Sequence, residues 1–105
     1  MTIEELAALI LQQTRERLAA QGYHTQVEAE AVEIRPGKKY IKVDRGPRWG
    51  DGRTEHNMSG FLMIDGETGE IFGIKGYGVV NKGRRYGTLA TASEWYWGNY
   101  GPVKS

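Results

Sequence analysis

Apolar residues in the first twenty positions gather on one side of a helix. Ile3, Leu6, Ala7, Leu9, Ile10 and Leu18 recur at near-helical spacing, with charged and amide side chains between them. Thr2 and Glu5 have the spacing of a capping box, in which a hydroxyl caps the first turn and a carboxylate reaches back to the cap's own N–H. Gly22 supplies the residue type that takes a left-handed conformation where a helix closes. Together these signals predict a helix over residues 3–20.

Beyond it the period changes to two. Val27, Ala29 and Ala31 alternate with Gln26, Glu28 and Glu30, and Val32 and Ile34 resume in the opposite phase. A phase change of one residue predicts a strand carrying a β-bulge. Pro36-Gly37 marks a turn, after which Tyr40, Ile41 and Val43 predict a second strand. The stretch from Gly46 to Asn57 is polar, with three glycines and one proline, and reads as a long surface loop. Phe61, Leu62, Met63 and Ile64 form an unbroken apolar run, as in a strand covered on both faces. Asp65-Gly66-Glu67-Thr68-Gly69-Glu70 then predicts a hairpin connection, with Ile71, Phe72 and Ile74 returning antiparallel. The expected architecture is α+β: an N-terminal helix packed on a mainly antiparallel, twisted sheet of four or more strands. The aromatic C-terminal tail, Trp95-Tyr96-Trp97-Gly98-Asn99-Tyr100, would cover an edge or an end of that sheet.

The 105 residues suit one domain, and no repeat, low-complexity tract or linker divides them. At 39% hydrophobic residues the core is lean, and the absence of cysteine removes disulfides, thiolate metal sites and thiol nucleophiles together. A small domain without such staples gains stability by burying aromatic surface between copies, so a homo-oligomer is expected. No apolar run approaches the length of a membrane span. Glu4 and Glu5 stand where a signal peptide would carry basic residues, which points to the cytoplasm. The net charge of +1 conceals a polarity. Residues 1–34 hold six acids and two bases (−4), whereas the rest hold twelve bases and seven acids (+5). That bias suits an anionic partner for the later part of the chain, although acidic helices and basic loops also keep a small protein soluble.

The segment from Gly73 to Gly87 carries the most suggestive chemistry. Its glycines would let backbone N–H groups approach an anion, Lys75, Lys82, Arg84 and Arg85 would neutralise it, and Tyr77 and Tyr86 offer flat surfaces for a base. The spacing matches neither the P-loop nor the dinucleotide-binding fingerprint. The same residues also read as a glycine-rich hairpin with a solvated Lys82-Gly83 tip and tyrosines packed on the sheet. Trp95, Trp97 and Tyr100 form a second cluster, either closing the core or anchoring an interface. Core closure is favoured, because few other large side chains are present to fill the domain. Arg45, Arg48 and Arg53, with Trp49 among them, resemble a single-strand nucleic-acid surface. Asp44, Asp51 and Glu55 would repel a phosphate backbone there, so a self-paired surface loop is favoured and nucleic acid is not. No catalytic residue, cofactor or metal site is expected. His24 and His56 are the only histidines, His56 with Glu55 and Asp51 fits no familiar ligand spacing, and Ser59 and Ser93 lie in no nucleophile elbow.

The stretches YIKVDRG, MIDGETGEIFGIKGYGVVNKGRRYGTL and WYWG together resemble small uncharacterised proteins encoded by tailed bacteriophages and prophages. The resemblance runs from Tyr40 to Trp97, is sharpest from Thr68 to Leu89, and excludes the N-terminal helix. It implies an accessory protein acting in the host cytoplasm during infection, and it carries no catalytic residue with it. The leading expectation is a non-catalytic protein that binds a nucleotide-like anion through the Gly73–Gly87 segment, sequestering a host immune second messenger. The alternatives are a protein-binding module that inhibits a host or viral partner, and a small phosphate-directed hydrolase or transferase.

Overall fold

Helix α1 spans Ile3–Ala20 and begins with the capping box that the sequence announces: the Glu5 amide donates to Thr2 Oγ1, and the Thr2 amide donates to the Glu5 carboxylate at 2.8 Å. These bonds to Thr2 hold the Glu5 carboxyl below its ordinary range. At the other end the Tyr23 amide reaches the Leu18 carbonyl and the Gly22 amide reaches that of Ala19, with Gly22 at φ +84°. This is a Schellman closure, in which the left-handed glycine lets two terminal carbonyls find donors. The structure, a computed structural model, describes residues 1–48, 59–76 and 78–104.

The chain continues through a short helix α2 (His24–Ala29) into five strands: β1 (Glu30–Arg35), β2 (Tyr40–Pro47), β3 (Ser59–Asp65), β4 (Glu70–Ile74) and β5 (Val80–Thr88). They form one antiparallel sheet in the order β1-β2-β3-β4-β5, with α1 packed on it, so the α+β expectation holds. A 3₁₀ helix (Leu89–Glu94) then leads to a two-residue strand pair, β6 (Trp95–Tyr96) with β7 (Val103–Lys104).

One stripe of α1, Leu6, Ile10, Thr14 and Leu18, lies at every fourth residue and is buried throughout. Leu6 and Ile10 of that stripe meet Val43, Leu62, Ile64 and Ile71 from the inner face of the sheet, and Ala92 and Trp97 close the end. Trp97 is fully buried, and its indole N–H donates to the Ala92 carbonyl at 2.9 Å. The tail therefore completes the core, as the favoured reading of that cluster has it. Met63 pairs with Phe72 across β3 and β4, and Phe72 meets Tyr40 edge-on, a smaller cluster on the opposite face. Both faces of β3 are thus covered, which explains its unbroken apolar run. Among the described residues, no helix is long and apolar enough to cross a membrane.

Three local expectations are corrected. Residues 24–29 are helical rather than the start of a bulged strand, with the Val27 amide donating to the Tyr23 carbonyl. The phase change near residue 30 is a helix–strand junction, a boundary that alternating apolar residues over so few positions do not distinguish from a bulge. Gly46 belongs to β2, which continues to Pro47, while positions 49–57 of the expected loop lie outside the described residues. Lys82-Gly83 is no hairpin tip. The β4–β5 turn sits earlier, where the Lys75 amide bonds to the Val79 carbonyl and Gly76 and Gly78 adopt φ of +60° and +75°. Left-handed glycines placed the turn there, ahead of the Lys82-Gly83 pair.

Candidate functional site

Between the C-terminal half of α1 and the inner face of the sheet lies a cavity of about 290 Å³. Each wall has a local cause. Thr14 and Arg17 are three residues apart on α1 and share its sheet-facing side. The helix–strand junction delivers Glu30, which is 4% exposed. In β2 the inward phase of Ile41 and Val43 continues to Arg45, which is therefore carried under the helix at 9% exposure. The register between β2 and β3 shifts after Val43↔Leu62 to Asp44↔Gly60, leaving Phe61 as the extra residue. That bulge lays the Phe61 ring 3.7 Å from the Arg45 guanidinium carbon.

Arg45 anchors the site. Its Nη1 donates to Thr14 Oγ1 at 3.2 Å and to the Trp97 carbonyl at 2.8 Å, and its Nη2 donates to the Asn99 carbonyl at 3.0 Å. These bonds satisfy part of a five-donor fork while leaving its charge unneutralised. Among the described residues no carboxylate lies within 4 Å of it. Burial, reinforced by the positive charge of Arg17, pulls the guanidinium down to about 10, so it stays cationic at neutral pH. Arg17 adds a buried Nε with no hydrogen-bond partner, and its guanidinium lies 5.2 Å from the Tyr100 ring centre. Burial raises the Glu30 carboxyl above its ordinary value, opposed by the charge of Arg45, the Gln26 side chain, Arg17 and Arg15.

The fourth wall comes from β5, an edge strand. Two register shifts against β4 leave Lys82, Gly83 and Arg84 facing no partner, because Phe72↔Arg85 is followed by Gly73↔Asn81. Arg84 and Tyr86 line the cavity beside Gly73, where an added Cβ would stand 3.2 Å from Arg84 Cβ and 3.3 Å from Tyr86 Oη. The absent side chain at Gly73 is what lets those two lie across the strand. Tyr86 is further fixed by edge-on contacts to Trp95 and Trp97.

Of the residues singled out by sequence, Arg45, Ser59, Arg84, Tyr86 and Tyr100 reach this cavity. Lys75 and Lys82 are exposed and do not line it, and Tyr77 lies outside the described residues. Arg85 opposes Phe72 on the other face and bridges Glu70 at 2.7 Å, so it does not converge with Arg84. Within the aromatic trio, Trp95 is half-buried against Trp97, while Tyr100 is 84% exposed. Arg45 is not part of a self-paired surface loop: it is buried. Arg48 bridges Glu33 on the surface, and Trp49 and Arg53 lie outside the described residues, as do Asp51, Glu55 and His56. Thr14, Arg17, Glu30 and Phe61 escaped the sequence reading, although an arginine in the inward phase of a strand was a legible signal for Arg45.

A larger hollow, about 600 Å³, opens on the other side of the sheet between Arg35, Lys42, Asp44 and the β4–β5 turn. Its cationic character is offset by Asp44, which Arg35 holds at 2.7 Å. Among the described residues, the inner cavity is lined by three arginines, Arg17, Arg45 and Arg84, and by one carboxyl group, that of Glu30, which burial raises above its ordinary value. Comparison with family models, curated proteins and solved structures finds no match to this chain.

Proposed function

We propose that this chain is a non-catalytic binding protein that holds a small nucleotide-like anion in the cavity between α1 and the sheet. The observation that carries the reading is Arg45, a cation 9% exposed with no carboxylate within 4 Å among the described residues, lining the same cavity as Arg17 and Arg84. A buried charge is costly without a counter-charge, and an anionic ligand supplies one. Tyr86 and Tyr100 add aromatic surface at the same walls, suited to a base. The volume of about 290 Å³ sits at the lower end of ligand pockets and suits a mononucleotide better than a dinucleotide. In the phage context implied by the resemblance, such a protein would act by sequestering a signalling nucleotide.

The test is calorimetric titration of wild type and Arg84→Ala with 5′-mononucleotides, cyclic mononucleotides and sulfate. Arg84 is exposed on an edge strand, so its removal should spare the fold. A charge-assisted hydrogen bond to phosphate contributes about 1.5–3 kcal/mol, so affinity should fall by roughly ten- to hundredfold. Wild type that binds none of the panel, or a variant that binds equally well, overturns the reading.

A further inference from the structure

Among the described residues, Glu30 is the one acidic side chain lining the arginine-walled cavity. It opens β1 directly after α2 and is almost wholly enclosed. From α1 it is faced by Arg17 and by Arg15, whose Nη2 donates to the Glu30 backbone carbonyl at 3.0 Å. From α2 it is faced by the amide of Gln26, and from β2 by Arg45. Arg84 and Tyr86 from β5, and Tyr100 from the tail, line the same space. Among the described residues, none of these arginines forms an ion pair with the Glu30 carboxylate within 4 Å. The carboxylate is thus supported by positive charge at a distance, the same charge that an incoming anion would engage.

Resting on the anion-binding reading above, we propose that capture in this cavity is proton-coupled, the ligand entering together with a proton that Glu30 takes up. Two effects drive the proton onto the carboxylate. The ligand's charge repels Glu30 directly, and it draws on the field of Arg17, Arg45 and Arg84 that supports the ionised form. The protonated carboxyl also gains an O–H that can donate to a ligand oxygen. Burial already holds the empty protein's carboxyl above its ordinary value, and the bound anion raises it further. Affinity is therefore highest below the empty-state value and falls as pH rises from that value to the bound-state one. For one proton the slope is at most about tenfold per pH unit. Above the bound-state value affinity is flat again.

The test uses a 3′,5′-cyclic mononucleotide, whose phosphodiester does not titrate near neutrality, so that any proton exchanged belongs to the protein. Titration calorimetry at pH 5–8, in buffers of different protonation enthalpy, reads the protons taken up per ligand. Wild type should take up a fraction of a proton and lose affinity severalfold per pH unit within the window. Glu30→Gln, checked by thermal melting, should take up none, show a flat profile and bind more tightly than wild type at pH 8. Carbon-detected NMR of the Glu30 carboxyl in the wild type, with and without the nucleotide, gives the same answer without a variant. Binding with no proton uptake and no shift of that resonance overturns the coupling and leaves the anion site standing. If neither cyclic nor 5′-mononucleotides nor sulfate bind, the anion reading fails and the coupling fails with it.

Discussion

Replacing Trp97 tests how the C-terminal tail holds the domain together. The side chain is fully buried, packs among Leu6, Ile10 and Ala92 in the core, and makes ring contacts with Tyr86 and Trp95. Its indole N–H donates to the Ala92 carbonyl, which also accepts from the Trp95 amide, and its backbone N–H donates to Gln13 Oε1 at 2.7 Å. Truncating a buried tryptophan costs about 3–5 kcal/mol, against a total of about 5–15 kcal/mol for a domain of this size. At about 4–8 °C per kcal/mol, Trp97→Ala should lower the melting temperature by roughly 12–40 °C or leave the chain unfolded. Trp97→Phe keeps most of the apolar contact but loses the indole bond to the Ala92 carbonyl, which the Trp95 amide still satisfies, a loss of about 0.5–1.5 kcal/mol, and should fall between. Tyr100→Ala serves as the internal control, since a side chain 84% exposed should change stability by less than about 0.5 kcal/mol. Thermal melts followed by circular dichroism make the comparison. A Trp97→Ala variant that melts within a few degrees of wild type refutes the keystone role assigned here.

Two further substitutions use the glycines as probes. Gly73→Ala puts a methyl group against Arg84 and Tyr86, and should weaken mononucleotide binding severalfold by displacing them; unchanged affinity in the calorimeter would mean that neither side chain holds the ligand. Gly22→Ala places no atom within 4 Å of another but forces a left-handed conformation at φ +84°, so it should cost about 1–2 kcal/mol through the backbone alone, read as a lower urea midpoint with an unchanged slope.

The parts of the fold legible in the sequence are those whose cause is local. The capping box at Thr2 and Glu5, the stripe of Leu6, Ile10 and Leu18 and the closing Gly22 are all set within a few turns, and α1 has the predicted bounds. The Asp65–Glu70 connection is local too, because the Asp65 carboxylate accepts from the Glu67 and Thr68 amides and builds the turn itself. The misread places are those where local signals admit two structures. Lys82-Gly83 is flanked by Gly78 and Gly87, and only pairing with β4 decides which glycines turn and which join a bulge. The candidate site was harder still. Arg45 meets Thr14 from 31 positions away and Trp97 from 52, and no spacing rule connects those residues.

The two roles of Arg45 determine which variants can report on the cavity. Its guanidinium holds the Trp97 and Asn99 carbonyls and the Thr14 hydroxyl, so it ties the tail to both the sheet and α1. Removing it would leave the buried Trp97 carbonyl and Thr14 hydroxyl short of a donor, each worth about 1–3 kcal/mol, while relieving the desolvation of a buried cation. Loss of binding in an Arg45 variant would therefore mix the missing charge with a loosened tail that also carries Tyr100 to the cavity. Arg84 has no such duty: it stands in the unpaired bulge of an edge strand and touches the cavity from outside the core. Affinity lost at Arg84 with stability intact thus isolates the electrostatic contribution of the cavity. Affinity lost at Gly73 with Arg84 still present isolates its placement.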